Sequence, residues 1–153
     1  MTPSAALNKI TTAWDDLQTS YAGLSAEQLL EPGVVGDWSV RDILAHVTTW
    51  EQEALNALPA IRRGERLPRY SQLYGGIDAF NALMTRRKCR LALDEVLRQH
   101  AAVHADLLTL IGALSDIETA SGTRLYRRLG ADTWRHYPEH ARSIRAWREK
   151  RGL

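Results

Sequence analysis

Five histidines, at positions 46, 100, 104, 136 and 140, are the side chains best suited to hold a metal or to move protons near neutral pH. Four of them form two pairs, His100 with His104 and His136 with His140, whose i, i+4 spacing puts both imidazoles of a pair on one helical face. A helix offers two metal ligands in this way, but the same spacing also suits two imidazoles hydrogen-bonded within a core. The single cysteine, Cys89, excludes an internal disulfide and a cysteine-built zinc site within one chain. Histidines and carboxylates must therefore hold any metal.

The neighbours of each histidine set its direction. His100 and His104 fall within the stripe Leu93, Leu97, Leu107, Leu108 and Ile111, so both point inward, where each needs a hydrogen-bond partner; Trp50 and Glu51 are the candidates. His136 and His140 share a face with Ile144 and Trp147 and also look inward, so periodicity alone does not choose between the pairs. His46 lies at the edge of its helix's apolar stripe, at a seam from which an imidazole reaches between helices. Glu51 lies near the centre of that stripe beside Val47, Ala54, Leu55 and Leu58. A carboxylate there is costly unless paired, so Glu51 either serves a pocket or reaches solvent from a two-faced helix.

The elements that carry these residues are helical. Thr2 and Pro3 form an N-cap and first-turn proline, and Ile10, Trp14, Leu17 and Tyr21 then mark one face of a first helix ending near Tyr21. Ser25 and Gln28 have the spacing of a capping box for a short helix over Leu29 and Leu30, which Pro32 and Gly33 end. Ser39 with Asp42 caps a second long helix over about residues 40–63, stopped by Gly64.

Residues 64–76, with Pro68, two tyrosines and a Gly-Gly pair, read as a loop able to cover a pocket. Residues 77–90 and 93–114 read as a third helix with a bend near Asp94. Residues 115–131 lack a period and read as a connection with at most a short helical turn. A last helix opens near Asp132 and runs to about Lys150. Pro138, between His136 and His140, requires that helix either to start later than Asp132 or to kink, because an interior proline costs about 3 kcal/mol. With no period-two alternation and no internal repeat, the chain reads as one all-α domain over residues 1–153, a four-helix bundle with short extra helices in its connections.

Composition limits the function classes. The chain is 44% hydrophobic and 25% charged, with no apolar run of the roughly 20 residues that a membrane helix needs and no secretory leader pattern. The expectation is a cytoplasmic protein. Residues 124–153 hold nine Arg and Lys against three Asp and Glu, so the net charge of +2 divides into +6 there and −4 elsewhere. These arginines read as the wet side of the last helix and its lead-in. Without a strongly basic whole domain or interleaved aromatics, the pattern argues against a nucleic-acid partner.

Two motifs carry a resemblance. Glu31-Pro-Gly-Val-Val-Gly-Asp-Trp-Ser-Val-Arg-Asp-Ile-Leu-Ala-His46 with Trp50, and Thr133-Trp-Arg-His-Tyr-Pro-Glu-His140 with Ile144 and Trp147, resemble the DinB/YfiT-like helical-bundle superfamily. Within it the chain is similar to the ClbS/DfsB-like relatives of the colibactin self-resistance protein. The resemblance implies a four-helix bundle that pairs through exposed helix faces as a homodimer. It also implies a divalent metal, zinc, nickel or iron, held by His46, His136 and His140 with one coordination position open for water.

The activity implied is hydrolysis or detoxification of a small electrophilic molecule, with Glu51 or Tyr137 transferring protons. A non-catalytic module that sequesters such a molecule between Trp38, Trp50 and Trp147 is the alternative. If His100 and His104 occupy the cavity instead, the three-histidine reading fails.

Overall fold

The computed structural model describes residues 2–153, and they are all-helical. Four long helices form the bundle: α1 (Pro3–Tyr21), α3 (Val40–Arg62), α6 (Leu93–Gly112) and α8 (Tyr137–Arg151). Between them lie α2 (Ala26–Leu30), α4 (Tyr70–Leu73), α5 (Ile77–Lys88) and α7 (Arg124–Asp132). Helix α3 packs along α6 and α7, while α1 packs on α8 and α6. Ile10, Leu17, Ile43, Leu44, Leu58, Leu107, Ile111 and Ile144 have no exposed surface, each burial contributing about 1.5–3 kcal/mol. Among the described residues no helix is long and apolar enough to cross a membrane.

The helix starts follow the sequence signals. Thr2 Oγ1 accepts from Ala5 N at 3.1 Å ahead of Pro3. Ser25 and Ser39 each form a full capping box, with Gln28 and Asp42 respectively. Ahead of Ser39 the chain makes a tight turn in which Val34 N and Gly33 N donate to Trp38 O. Gly36 takes φ +55° there, a left-handed conformation that glycine adopts without the Cβ clash. The turn seats Trp38 against His46, ring centroids 4.9 Å apart.

Four sequence expectations change. The expected third helix is two helices, α5 and α6, separated by residues 89–92, where neither glycine nor proline marks a break. Arg41 of α3 supplies the break from outside. Its guanidinium donates to Lys88 O at 2.5 Å and to Leu91 O at 3.1 and 2.5 Å, holding carbonyls at and just beyond the end of α5. The expected loop 64–76 contains the turn of helix α4.

The expected connection 115–131 contains most of α7, capped by Thr123 Oγ1 accepting from Tyr126 N. The last helix accordingly starts at Tyr137, not near Asp132, after a turn in which His136 N and Tyr137 N both donate to Thr133 O. Pro138 falls at the second helical position, where its missing N–H breaks no bond. The helix is thus unkinked by proline, and His136 stands at its N-cap.

Several of the C-terminal arginines hold the bundle together. Arg145 pairs with Asp16 at 2.7 Å and Arg151 with Glu31 at 2.5 Å. Arg148 donates to the backbone oxygens of Ser20 and Ala22 at the end of α1, and Arg124 to that of Glu65. These bonds fit the reading of the basic tail as bundle surface.

Candidate metal centre

The cap at Ser39 places His46 two turns into α3, facing the start of α8. His136 is the N-cap of α8 and His140 lies one turn further on. Their Nε2 atoms converge: His136 Nε2 is 3.0 Å from that of His46 and 2.9 Å from that of His140. One ligand atom from each of the three lies within 4.8 Å of the others. A ring nitrogen carries either one N–H or one lone pair, so His136 Nε2 can make only one well-aligned hydrogen bond with its two neighbours, and the other close contact is left without one. A single cation at the convergence point would satisfy all three.

The donor set suits such an ion. A tetrahedral zinc with nitrogen ligands at about 2.0–2.1 Å separates those nitrogens by about 3.3 Å, close to the separations found. The three imidazoles are also held in the neutral, ligating form. Burial lowers His46 to about 2, assisted by charge repulsion from His136, His140 and Lys88. Burial with repulsion from His140 lowers His136 to about 3, and burial lowers His140 as well. The Asp132 carbonyl opposes the shift at His136, yet its geometry falls short of a full hydrogen bond. The Nδ1 atoms of His136 and His140 are thereby buried without partners.

The histidines open onto a cavity of about 350 Å³ lined also by Trp50, Ile77, Asn81, Ala131, Asp132 and Glu139. Asp132 is 4% exposed and donates nothing; its Oδ2 accepts from Arg128 Nε at 2.6 Å. Burial raises its carboxyl to about 6, against the lowering effect of Arg128. With Glu139 in the first turn of α8, Asp132 brings negative charge to a place where a helix N-terminus alone would repel a cation.

Asp132, Asn81 and Ile77, with Ala131 and Glu139, are the lining residues that the sequence did not reveal. The start of α8 was needed to place Asp132, and α5 has no pattern strong enough to orient Asn81.

The other expected residues lie elsewhere. His100 and His104 do not line the cavity: they sit in the core, stacked on Trp14 at centroid distances of 4.3 and 3.5 Å. Gln18 Nε2 can only donate, so His100 accepts it at Nε2 and donates from Nδ1 to Thr48 Oγ1, each at 3.0 Å. His104 Nδ1 lies 2.8 Å from Glu51 Oε1. Tyr137 OH donates to the same oxygen.

Glu51 and Tyr137 therefore form a closed layer beneath the histidines; both are 0% exposed and neither lines the cavity. Trp50, expected as a partner of the 100/104 pair, instead donates Nε1 to Asn81 Oδ1 at 3.0 Å. Of the three expected tryptophan walls, Trp50 lines the cavity, Trp38 backs His46, and Trp147 lies in the core.

Similarity to known proteins accords with this fold. Among curated proteins none matches the chain. Solved structures do: an uncharacterised protein from Escherichia coli UTI89 has TM-score 0.80 at 15% identity, over 99% of this chain and 95% of its own. DfsB, described as a sibling lethal factor precursor, has TM-score 0.80 at 16% identity, over 99% and 97%.

The colibactin self-resistance protein ClbS, solved in complex with a double-stranded DNA, has TM-score 0.75 at 14% identity, over 94% and 93%. At these identities the likeness is one of fold. Because a protein of this fold is found with DNA, charge balance alone is weaker ground for excluding a nucleic-acid partner than the sequence suggested. The family model described as the DinB superfamily matches residues 9–145, and the chain belongs to the DinB superfamily.

Proposed function

We propose that this protein is a metal-dependent hydrolase of a small electrophilic molecule, serving detoxification or self-resistance. The observation that carries the reading is the convergence of three neutral Nε2 atoms on one point at the wall of a 350 Å³ cavity. Bound there, a divalent metal supplies Lewis acidity and lowers the pKa of a coordinated water towards about 7. His46, His136 and His140 hold it from two helices that meet at the seam. Asp132, whose carboxyl lies near neutrality, takes and returns a proton at the cavity wall.

Glu51 and Tyr137 act in this reading as positioning residues. The bond from Tyr137 to Glu51 ties the first turn of α8 to α3 and so keeps His136 and His140 aimed at His46. Trp50 and Ile77 give the cavity a carbon wall.

Metal analysis of the untagged protein beside a His46→Ala variant tests the proposal. About one ion per chain in the parent and loss of that ion in the variant are expected. A parent that takes up neither zinc nor nickel ends the metal reading. The carbon wall also favours a second reading, sequestration without turnover. It predicts protection limited to one molecule per chain, and multiple turnovers exclude it.

A further inference from the structure

Asn81 lines the cavity from α5, and its amide has a direction that another residue dictates. An indole N–H only donates, so the atom of Asn81 that meets Trp50 Nε1 at 3.0 Å must be the carbonyl oxygen. The amide nitrogen then points the other way, and no protein group accepts from it. It is not among the buried polar atoms left without partners, so it keeps contact with solvent at a residue that lines both this cavity and the groove beside Lys88. The other polar groups lining this cavity are three imidazoles turned towards one another and two carboxylates. With the imidazole Nε2 atoms committed to an ion, the Asn81 NH2, oriented by Trp50, is a neutral donor left available in the lining of the site.

We infer that Asn81 is a substrate-binding residue, that its NH2 donates to a carbonyl oxygen of the molecule held at the histidine centre, and that Trp50 positions it. The substrate class is thereby narrowed to carbonyl compounds such as amides, esters or lactams. As the carbonyl oxygen gains negative charge, a donor already oriented stabilises it without reorganisation. The inference rests on the metal-dependent reading above. It adds a recognition element on a helix that provides none of the ion's ligands.

The test uses the cobalt-loaded full chain, with the cobalt absorption bands reporting the binding of two probes: acetohydroxamate, which carries a carbonyl, and azide, which does not. In Asn81→Leu, acetohydroxamate is expected to bind about tenfold or more weakly, the loss of one hydrogen bond to a charged group. Azide and cobalt affinities stay within about twofold of the parent on the same basis. Trp50→Phe, which removes the indole N–H and frees the amide to turn, weakens acetohydroxamate in the same sense, while Asn81→Gln recovers part of the affinity.

Equal acetohydroxamate affinity in the parent and Asn81→Leu overturns the inference and leaves the metal centre standing. Equal weakening of both probes also overturns it, since that marks general damage to the site. A parent that binds no cobalt overturns the inference together with the reading on which it rests.

Discussion

Zinc added to the metal-free protein at about pH 6 is expected to displace less than about one proton per ion. Three imidazoles of ordinary pKa, about 6.5, are each roughly three-quarters protonated at that pH and together would give up about two protons. Here burial and mutual repulsion hold His46 near 2 and His136 near 3. Both are already neutral and release nothing. His140 is lowered too, so its share is below about 0.8 of a proton, and a zinc-bound water with pKa near 7 adds about 0.1.

Calorimetric titrations in two buffers of different ionisation enthalpy read the proton count directly. Release of two or more protons would falsify the description of a buried, neutral triad, even if zinc binds tightly. Release well below one supports it, and the count should stay below about one between about pH 6 and pH 7, the bound water's share rising to about half a proton as that of His140 shrinks.

Further expectations follow from other residues. His100, lowered to about 3 by burial and by repulsion from His104, stays neutral in the fold while the unfolded chain takes up a proton from about pH 6.5 downward. Its contribution to stability is therefore complete above about pH 6.5 and falls by about 1.4 kcal/mol per pH unit down to about pH 3. Urea titrations should show a shallower acid loss in His100→Gln, and an unchanged slope contradicts the assignment.

A Cβ on Gly130 would stand 2.7 and 2.9 Å from carbons of the Trp134 ring. Gly130→Ala should cost about 1–3 kcal/mol and weaken zinc binding by disturbing the turn that presents His136; parental values for both measurements would be the contrary result. Tyr137→Phe removes a donor to the fully buried Glu51 and should cost about 1–3 kcal/mol in a urea melt. A loss of turnover without that loss of stability would return Tyr137 to a direct role in proton transfer. In a gel-shift assay at about physiological salt, duplex DNA should not be retarded, since several tail arginines are engaged within the bundle. Retardation that weakens steeply with salt would assign this chain a nucleic-acid partner.

Local signals made much of the fold legible. Thr2, Ser25 and Ser39 start their helices where their spacing to Ala5, Gln28 and Asp42 says they should, because a cap is satisfied within one turn of chain. The inward faces of α1, α3 and α6 follow from helical period alone. The break after α5 was not legible, because it is made by Arg41, far away in sequence. Helix α7 was hidden in a stretch whose cap, Thr123, stands before a short and strongly charged segment that lacks a long stripe.

At the site, sequence by itself determined which residue types were available: histidines in two helical pairs, a seam histidine at 46, and a carboxylate at 51 that needed a partner. Only the tertiary structure decided between the pairs. It did so through Pro138, since a start at Tyr137 turns a costly interior proline into a harmless first-turn one and leaves His136 at the lip, facing His46. It gave Glu51 to His104 and Tyr137, and Trp50 to Asn81. Helical spacing fixes a face within one element, but which faces meet depends on how the helices pack, and that is a property of the whole bundle.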